Sequence, residues 1–263
     1  MNSQYGDDFV VSKASDLLKR SFAERDPLTP PIDLVSTFDY CGIIKYEYRL
    51  MVPEGVLHPL RGGFALYLQD NFRDQSSQTV RERFTVAHEV TYTFFFDTTH
   101  SPPRRRRGAP RGNNLERLCH LGAQELLLPR VLVERELRNR AGLSKLEDVE
   151  YLAERFQVSF EVVLRRLRRC VDLCTAELGI IYVAALDTGA PEVQAVFHDS
   201  SFRTIAAPPG IGEEFSSWIQ CIEPRAAVER SGTWEATIGS CSIQVRKKQV
   251  GRRSSLIEIR RTQ

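Results

Sequence analysis

The sequence predicts an α+β fold, because helical patterns predominate in the first two thirds of the chain and strand-like patterns in the last third. Up to about residue 170, several segments have apolar residues at three- and four-residue spacing, which is typical of helices, and two segments are strand-like. After about residue 175, short segments rich in Val and Ile alternate with Gly, Ser and Pro, which is typical of strands. We therefore expect three parts: a core over 1–129, a helical extension over 130–174 and an α+β domain over 175–263.

The composition is that of an ordinary globular protein and excludes several classes. Hydrophobic residues make up 42% of the 263 residues, and the net charge of +2 is too small to indicate a nucleic-acid or anionic-membrane partner. No apolar run approaches the roughly 18 residues that a membrane-spanning helix needs. The N-terminus lacks an export signal, and the six cysteines form no C-x-x-C pair, so we expect reduced thiols in a cytoplasmic protein.

The first elements are predicted from the spacing of apolar residues and from the Pro and Gly residues between them. A helix is predicted over 9–24 and a second short helix over 32–38. Strands are predicted over 42–50 and 64–68, with a turn-rich stretch containing Pro and Gly over 53–63 between them.

The next predicted helix begins near residues 79–83 and carries the most informative residues of the chain. His88 and Glu89 are followed by Tyr92, at the position where the metallopeptidase motif H-E-x-x-H has its second histidine. In the intact motif, two histidines four residues apart lie on one helix face and bind zinc. The glutamate between them then holds and deprotonates the metal-bound water.

A further helix, predicted over 115–128, supplies a candidate third ligand. Glu116 and His120 are four residues apart and therefore share one face of this helix. A carboxylate from Glu116 would complete a zinc site of two nitrogens and one oxygen, with the fourth position left for water.

Together, residues 83–97 and 116–129 resemble the ImmA/IrrE family of zinc metallopeptidases. Members read approximately R-F-T-x-A-H-E-x-G-H-x-x-F-x-D and, later, E-x-x-x-D-x-F-A-A-E-L-L-M-P. The resemblance covers about residues 30–170 and implies a small zincin-like core, a zinc cofactor and cleavage of a protein regulator in stress or mobile-element responses. It implies His88 as first zinc ligand, Glu116 as carboxylate ligand and Glu89 as general base.

The sequence departs from the family pattern at four positions. Tyr92 replaces the second ligand histidine, and Thr91 replaces the glycine before it. His120 stands where the family has an Asp that contacts a ligand histidine, and Gly122 replaces a Phe that packs behind the site. The side chain of Thr91 either fills the space left by the missing glycine or faces solvent.

Three hypotheses for the metal follow from these departures. In the first, the protein holds no functional zinc. In the second, Tyr92 is a weak ligand, because ionising a phenol at pH 7 costs about 4 kcal/mol unless the metal lowers its pKa. In the third, zinc moves to a set formed by His88, Glu116 and His120.

Two basic segments are candidate binding surfaces. Residues 152–169 resemble a helix-turn-helix, whose second helix would place four arginines near phosphates: Arg165, Arg166, Arg168 and Arg169. The alternative is that this segment packs as part of the core, since several acidic residues dilute its charge. The Arg104–Arg107 run is either a solvated loop or a surface for an acidic partner segment.

The C-terminal part is predicted to contain five strands and one helix. The strands span 178–185, 193–198, 232–238, 242–250 and 256–260, and the helix spans 210–222. The family resemblance implies a sensor-like domain here. For the whole chain two hypotheses remain: a zinc endopeptidase whose activity is weakened or lost, or a non-catalytic regulator that binds protein or DNA.

Overall fold

The computed structural model describes residues 5–23, 28–72, 79–170, 172, 178–184, 192–198, 219–220, 223–238, 241–251 and 254–261. It combines α-helices with β-sheets, so the predicted α+β class is confirmed. The chain divides into two compact units, Met1–Leu132 with Arg155–Val158, and Val133–Glu154 with Ser159–Gln263. The domain boundaries proposed at residues 129 and 174 stay predictions.

The first unit consists of three principal helices and a small mixed sheet. Its elements are α1 (Asp7–Phe22), α2 (Phe38–Cys41), β1 (Ile43–Arg49), β2 (Gly55–Leu60), β3 (Gly63–Gln69), α3 (Val80–Tyr92), β4 (Phe96–Asp97), β5 (Arg104–Arg105) and α4 (Gly112–Leu127). The sheet has the order β1-β3-β2, with β1 parallel and β2 antiparallel to β3. Helix α3 packs against α4, and α1 packs against α4 as well.

Strand β2 lies in the stretch that was predicted to be turns, so that prediction is wrong. Its residues pair in antiparallel register with β3, from Gly55 opposite Leu68 to Leu60 opposite Gly63. Because β2 is an edge strand, Pro59 is tolerated there, since an edge position need not donate a backbone hydrogen bond.

The second short helix begins later than its predicted start at residue 32. The side chain of Asp33 accepts a hydrogen bond from the backbone N–H of Val35 at 3.0 Å, which folds residues 33–36 into a turn. A short 3₁₀ helix follows over Val35–Thr37 and leads into α2. Helix α2 ends at Gly42, whose φ of 73° is the left-handed conformation that glycine adopts without strain.

Helix α3 begins at Val80, after the N-cap residue Thr79, and its first turn is anchored to the sheet. The side chain of Thr79 accepts a hydrogen bond from the backbone N–H of Glu82 at 3.0 Å, as an N-cap does. The buried carboxylate of Glu82 in turn accepts hydrogen bonds from the hydroxyls of Tyr48, at 2.7 Å, and Tyr46, at 3.3 Å. These contacts hold α3 over β1.

The motif residue Arg83 anchors the same end of α3 to the chain. Its buried guanidinium donates to the backbone carbonyls of Ile32, at 3.0 Å, and Gln157, at 3.3 Å. Gln157 has a φ of 54°, so its backbone is in the left-handed conformation, and it lies between α-helices within the predicted helix-turn-helix segment 152–169. Arg83 therefore has a structural role, and the site is formed by residues further along α3.

From Arg130 onward the described elements are three helices, a five-stranded sheet and one short helix. They are α5 (Arg130–Arg138), α6 (Leu146–Phe156), α7 (Phe160–Leu167), β6 (Leu178–Ala184), β7 (Glu192–His198), α8 (Pro224–Val228), β8 (Gly232–Ile238), β9 (Cys241–Gly251) and β10 (Ser254–Arg261). The sheet is antiparallel, in the order β7-β6-β10-β9-β8. Apolar side chains such as Ile181, Trp234 and Ile257 form its core.

The five predicted C-terminal strands agree with β6 to β10. The helix predicted over 210–222 lies mostly outside the described residues, although Ile219 and Gln220 are helical. Within the described ranges, no helix is long and apolar enough to cross a bilayer.

Candidate functional site

Helices α3 and α4 bring His88 and Glu116 together. The Nε2 atom of His88 lies 3.1 Å from Oε2 of Glu116. Two ligands bound to one tetrahedral zinc lie roughly 3.3 Å apart, if each ligand is about 2 Å from the metal. The observed separation therefore suits either a direct hydrogen bond or a shared metal ion.

The second ring nitrogen of His88 faces Glu89. Its Nδ1 atom lies 3.1 Å from Oε1 of Glu89, so carboxylates engage both nitrogens of the ring. Burial acts to lower the pKa of His88, but hydrogen bonds to Glu89 and Glu116 and their charges outweigh it, and the pKa is raised. Here Glu89 orients an imidazole, whereas its role as a general base stays a prediction.

Glu89 is enclosed because strand β2 approaches α3 closely. A Cβ atom added at Gly55 would lie 2.6 Å from Cγ2 of Thr85 and 3.2 Å from Cγ of Glu89. A side chain at this point of β2 would require the side chain of Thr85 to shift. The edge strand consequently borders the site directly.

Tyr92, which stands at the position of the second ligand, contacts a cation. The guanidinium of Arg105 donates to the Tyr92 hydroxyl at 3.4 Å, and its carbon lies 5.9 Å from the centre of the phenol ring. Arg105 also donates to the backbone carbonyl of Pro110, and its buried Nε has no hydrogen-bond partner within the described chain. A permanent positive charge thus adjoins the position where a metal ligand was expected.

The β4–β5 hairpin sets the direction of Arg105. Arg104 pairs with Asp97 and Arg105 with Phe96, and successive side chains of a strand point to opposite faces. Arg105 is half-buried toward Tyr92, whereas Arg104, Arg106 and Arg107 are exposed. Sequence reasoning treated this arginine run as one surface and missed Arg105, because nothing in the run indicates which member turns inward.

His120 lies beside His88 but on the exposed side of α4. Its ring centre is 5.3 Å from that of His88 and 5.4 Å from that of Phe84, with the rings edge to face in both pairs. Among the residues that the structure describes, no three His, Cys, Asp or Glu side chains form a group that could hold a metal ion.

The residues present therefore do not fit the zinc that the family implies. His88 and Glu116 have ligand spacing, but a catalytic zinc needs three protein ligands and an open position. The third position holds a phenol that carries a hydrogen bond from a guanidinium. A zinc dication at that position would meet the positive charge of Arg105.

Two of the other departures from the family pattern compensate each other. Thr91 is fully buried, and a Cβ atom added at Gly122 would lie 2.2 Å from its Cγ2 atom and 2.9 Å from Cγ1 of Val10. The side chain that the family carries on α4 is absent here, and Thr91 on α3 fills the space. Thr91 thus does not face solvent, and the contact between α3 and α4 is preserved.

The four arginines proposed for phosphate contact are not equivalent. Arg166 is buried, so its side chain is not available to contact a phosphate. The predicted set of four phosphate-contacting arginines is corrected accordingly. Arg165 forms an ion pair with Glu161 at 2.8 Å. Arg168 and Arg169 are exposed at the end of α7.

The opposed helices, the edge strand and the His88–Glu116 pair define an IrrE-like zincin core. Residues 73–168 match the family model Peptidase_M78, which is described as an IrrE N-terminal-like domain. The predicted family is confirmed.

The fold also resembles a solved structure. A Mycobacterium tuberculosis transcriptional regulator aligns with a TM-score of 0.51 and 18% identity, over 96% of this chain and 78% of that chain. At this identity the likeness concerns the fold alone. No curated protein matches the chain at a significant level.

Proposed function

We propose that this chain is a regulatory protein that binds a protein segment through an IrrE-like cleft whose zinc-dependent catalysis has been lost. The observation that carries the proposal is the hydrogen bond from Arg105 to the hydroxyl of Tyr92. This contact gives the former ligand position a fixed cation and leaves His88 and Glu116 without a third partner for zinc.

The edge strand supports a protein partner. Within the described residues, β2 pairs only with β3, so its other edge presents unpaired backbone groups next to α3. An extended peptide can add to such an edge through main-chain hydrogen bonds. The regulatory role has further support from the similar fold of a protein described as a transcriptional regulator.

A second candidate function is a zinc endopeptidase with a weak site. The 3.1 Å separation of His88 Nε2 and Glu116 Oε2 favours it, because this separation also suits a shared zinc. Glu89 would then be the general base, with Tyr92 or His120 as the remaining ligand. A role in DNA binding has less support, since Arg166 is buried and Arg165 pairs with Glu161, and only Arg168 and Arg169 of the four candidate arginines are exposed.

Metal analysis separates the two candidates. We expect the purified protein to contain far less than one equivalent of zinc and to show no saturable uptake when it is titrated with zinc at neutral pH. The matched control is His88→Ala, which removes the central donor and should behave like the parent protein. One equivalent of zinc in the parent, absent from His88→Ala, would instead support the endopeptidase.

A further inference from the structure

A separate cavity of about 180 Å³ opens in the first unit between α1, α2 and the segment that follows α3. Its floor is apolar and buried, and is formed by Leu17, Cys41 and Phe94. Its rim carries three exposed cationic side chains, contributed by two distant parts of the chain: Lys13, Arg20 and Arg106. No carboxylate of the described residues lines this cavity.

The three rim cations have no anionic partner in the described structure. Among the described residues, Arg20 donates to the backbone carbonyl of Asp16, at 3.3 Å, and the Nζ atom of Lys13 lies 6.0 Å from the ring centre of Phe9. Neither these two residues nor Arg106 forms an ion pair among the described residues. Three positive charges around one opening therefore lack compensation from within the described chain.

The carboxylate on which Arg106 acts through its charge, that of Asp97, already has other partners. Asp97 accepts hydrogen bonds from the hydroxyl and backbone N–H of Thr99, at 2.7 and 3.0 Å, and lies 3.3 Å from His100. Arg106 acts on it only through charge at longer range. Like charges held near one another favour an external anion that neutralises them.

We propose that this cavity binds a compact anion, a phosphate or carboxylate group attached to a small apolar group. Guanidinium groups bind both kinds of anion through paired hydrogen bonds, and the apolar floor would cover the attached group. The volume is below the roughly 300–1,000 Å³ that is usual for drug-sized ligands, so a small ligand or a terminal group is expected.

The test is calorimetric titration of the full chain at constant ionic strength with three probes: inorganic phosphate, phenyl phosphate and benzoate. We expect one saturable site that takes phenyl phosphate more tightly than inorganic phosphate, because of the apolar floor. The stronger of phenyl phosphate and benzoate identifies the preferred anionic group. The probes are titrated up to tens of millimolar, because weak ligands bind with roughly millimolar affinity. If none of the three probes saturates in this range, the proposal is overturned.

Two variants and a control test the rim. Arg20→Gln and Arg106→Gln should each weaken binding about tenfold, which is typical when one hydrogen bond to a charged group is lost. The control is Arg61→Gln, at an exposed arginine in the turn between β2 and β3 that does not line the cavity, and it should leave binding unchanged. Thermal melting verifies that each variant is folded. Equal weakening in Arg61→Gln would show that the anion binds through overall charge.

Discussion

A single phenol and a single guanidinium distinguish this site from the zinc site of its family. An imidazole binds zinc in its neutral form near pH 7, whereas a phenol must first lose a proton. In this chain, the Tyr92 hydroxyl also accepts a hydrogen bond from Arg105. His88 and Glu116 therefore keep their mutual contact, but Tyr92 and Arg105 occupy the place of a third zinc ligand.

Tyr92→His should create saturable zinc binding, at least about tenfold tighter than the upper limit for the parent, because it removes the cost of ionising the phenol. Competition with a chromophoric chelator measures the affinity of the variant and sets the limit for the parent. Adding Arg105→Gln should raise the affinity further, since it removes the adjacent positive charge.

The control for this substitution is His88→Ala in the Tyr92→His background, which should abolish the gained affinity. An unchanged affinity in Tyr92→His would mean that residue 92 does not point toward His88 and Glu116. The comparison of α3 with the family's ligand helix would then be incorrect.

At the scale of elements, the contact between α3 and α4 depends on a matched pair of residues. Thr91 occupies the space that Gly122 leaves open, so volume has been exchanged between the two helices. Thr91 fills part of the volume that the absent side chain at position 122 leaves, so the two helices stay in contact. The helices can therefore remain opposed although the catalytic motif between them is incomplete.

Gly122→Ala should destabilise the first unit by about 1–3 kcal/mol, the usual cost of overpacking, because the new methyl group would lie 2.2 Å from Thr91. Urea unfolding followed by far-ultraviolet circular dichroism measures the change. In the double variant with Thr91→Ala, part of that cost should disappear, although contact with Val10 at 2.9 Å remains. Strictly additive effects of the two substitutions would contradict direct packing.

At the scale of the whole molecule, the second unit contains a buried carboxylate that makes its stability depend on pH. Glu258 in β10 accepts a hydrogen bond from the backbone N–H of Leu146 at 2.6 Å, and Arg260 lies 3.7 Å away. Burial raises the pKa of Glu258 despite these contacts. Between the unfolded and folded pKa values, the folded unit therefore binds more protons than the unfolded chain.

This contribution to stability is complete below the unfolded pKa and is lost as the pH rises through the folded pKa. Glu258→Gln should remove it, so lowering the pH from about 7 to about 5 should stabilise the parent relative to the variant. Tryptophan fluorescence during urea unfolding is a selective probe, since both tryptophans lie between residues 159 and 263. If the free energy of unfolding changes with pH in the same way in the parent and the variant, Glu258 does not contribute to the pH dependence of stability.

Reading the sequence alone was enough to predict the family resemblance, the α+β class and the helices that carry His88 and Glu116. These properties depend on local sequence: four-residue separations within helices, and strands rich in Val and Ile. The edge strand β2 escaped prediction because its Pro and Gly residues are typical of turns, and pairing with β3 overrides that preference.

Three features are visible only in the folded chain: the arginine that contacts Tyr92, the residue that fills the space at Gly122 and the cations that surround the small cavity. Each of these depends on side chains from elements that are separated along the chain. Their approach is set by helix packing and by hairpin register, which spacing within one element does not encode.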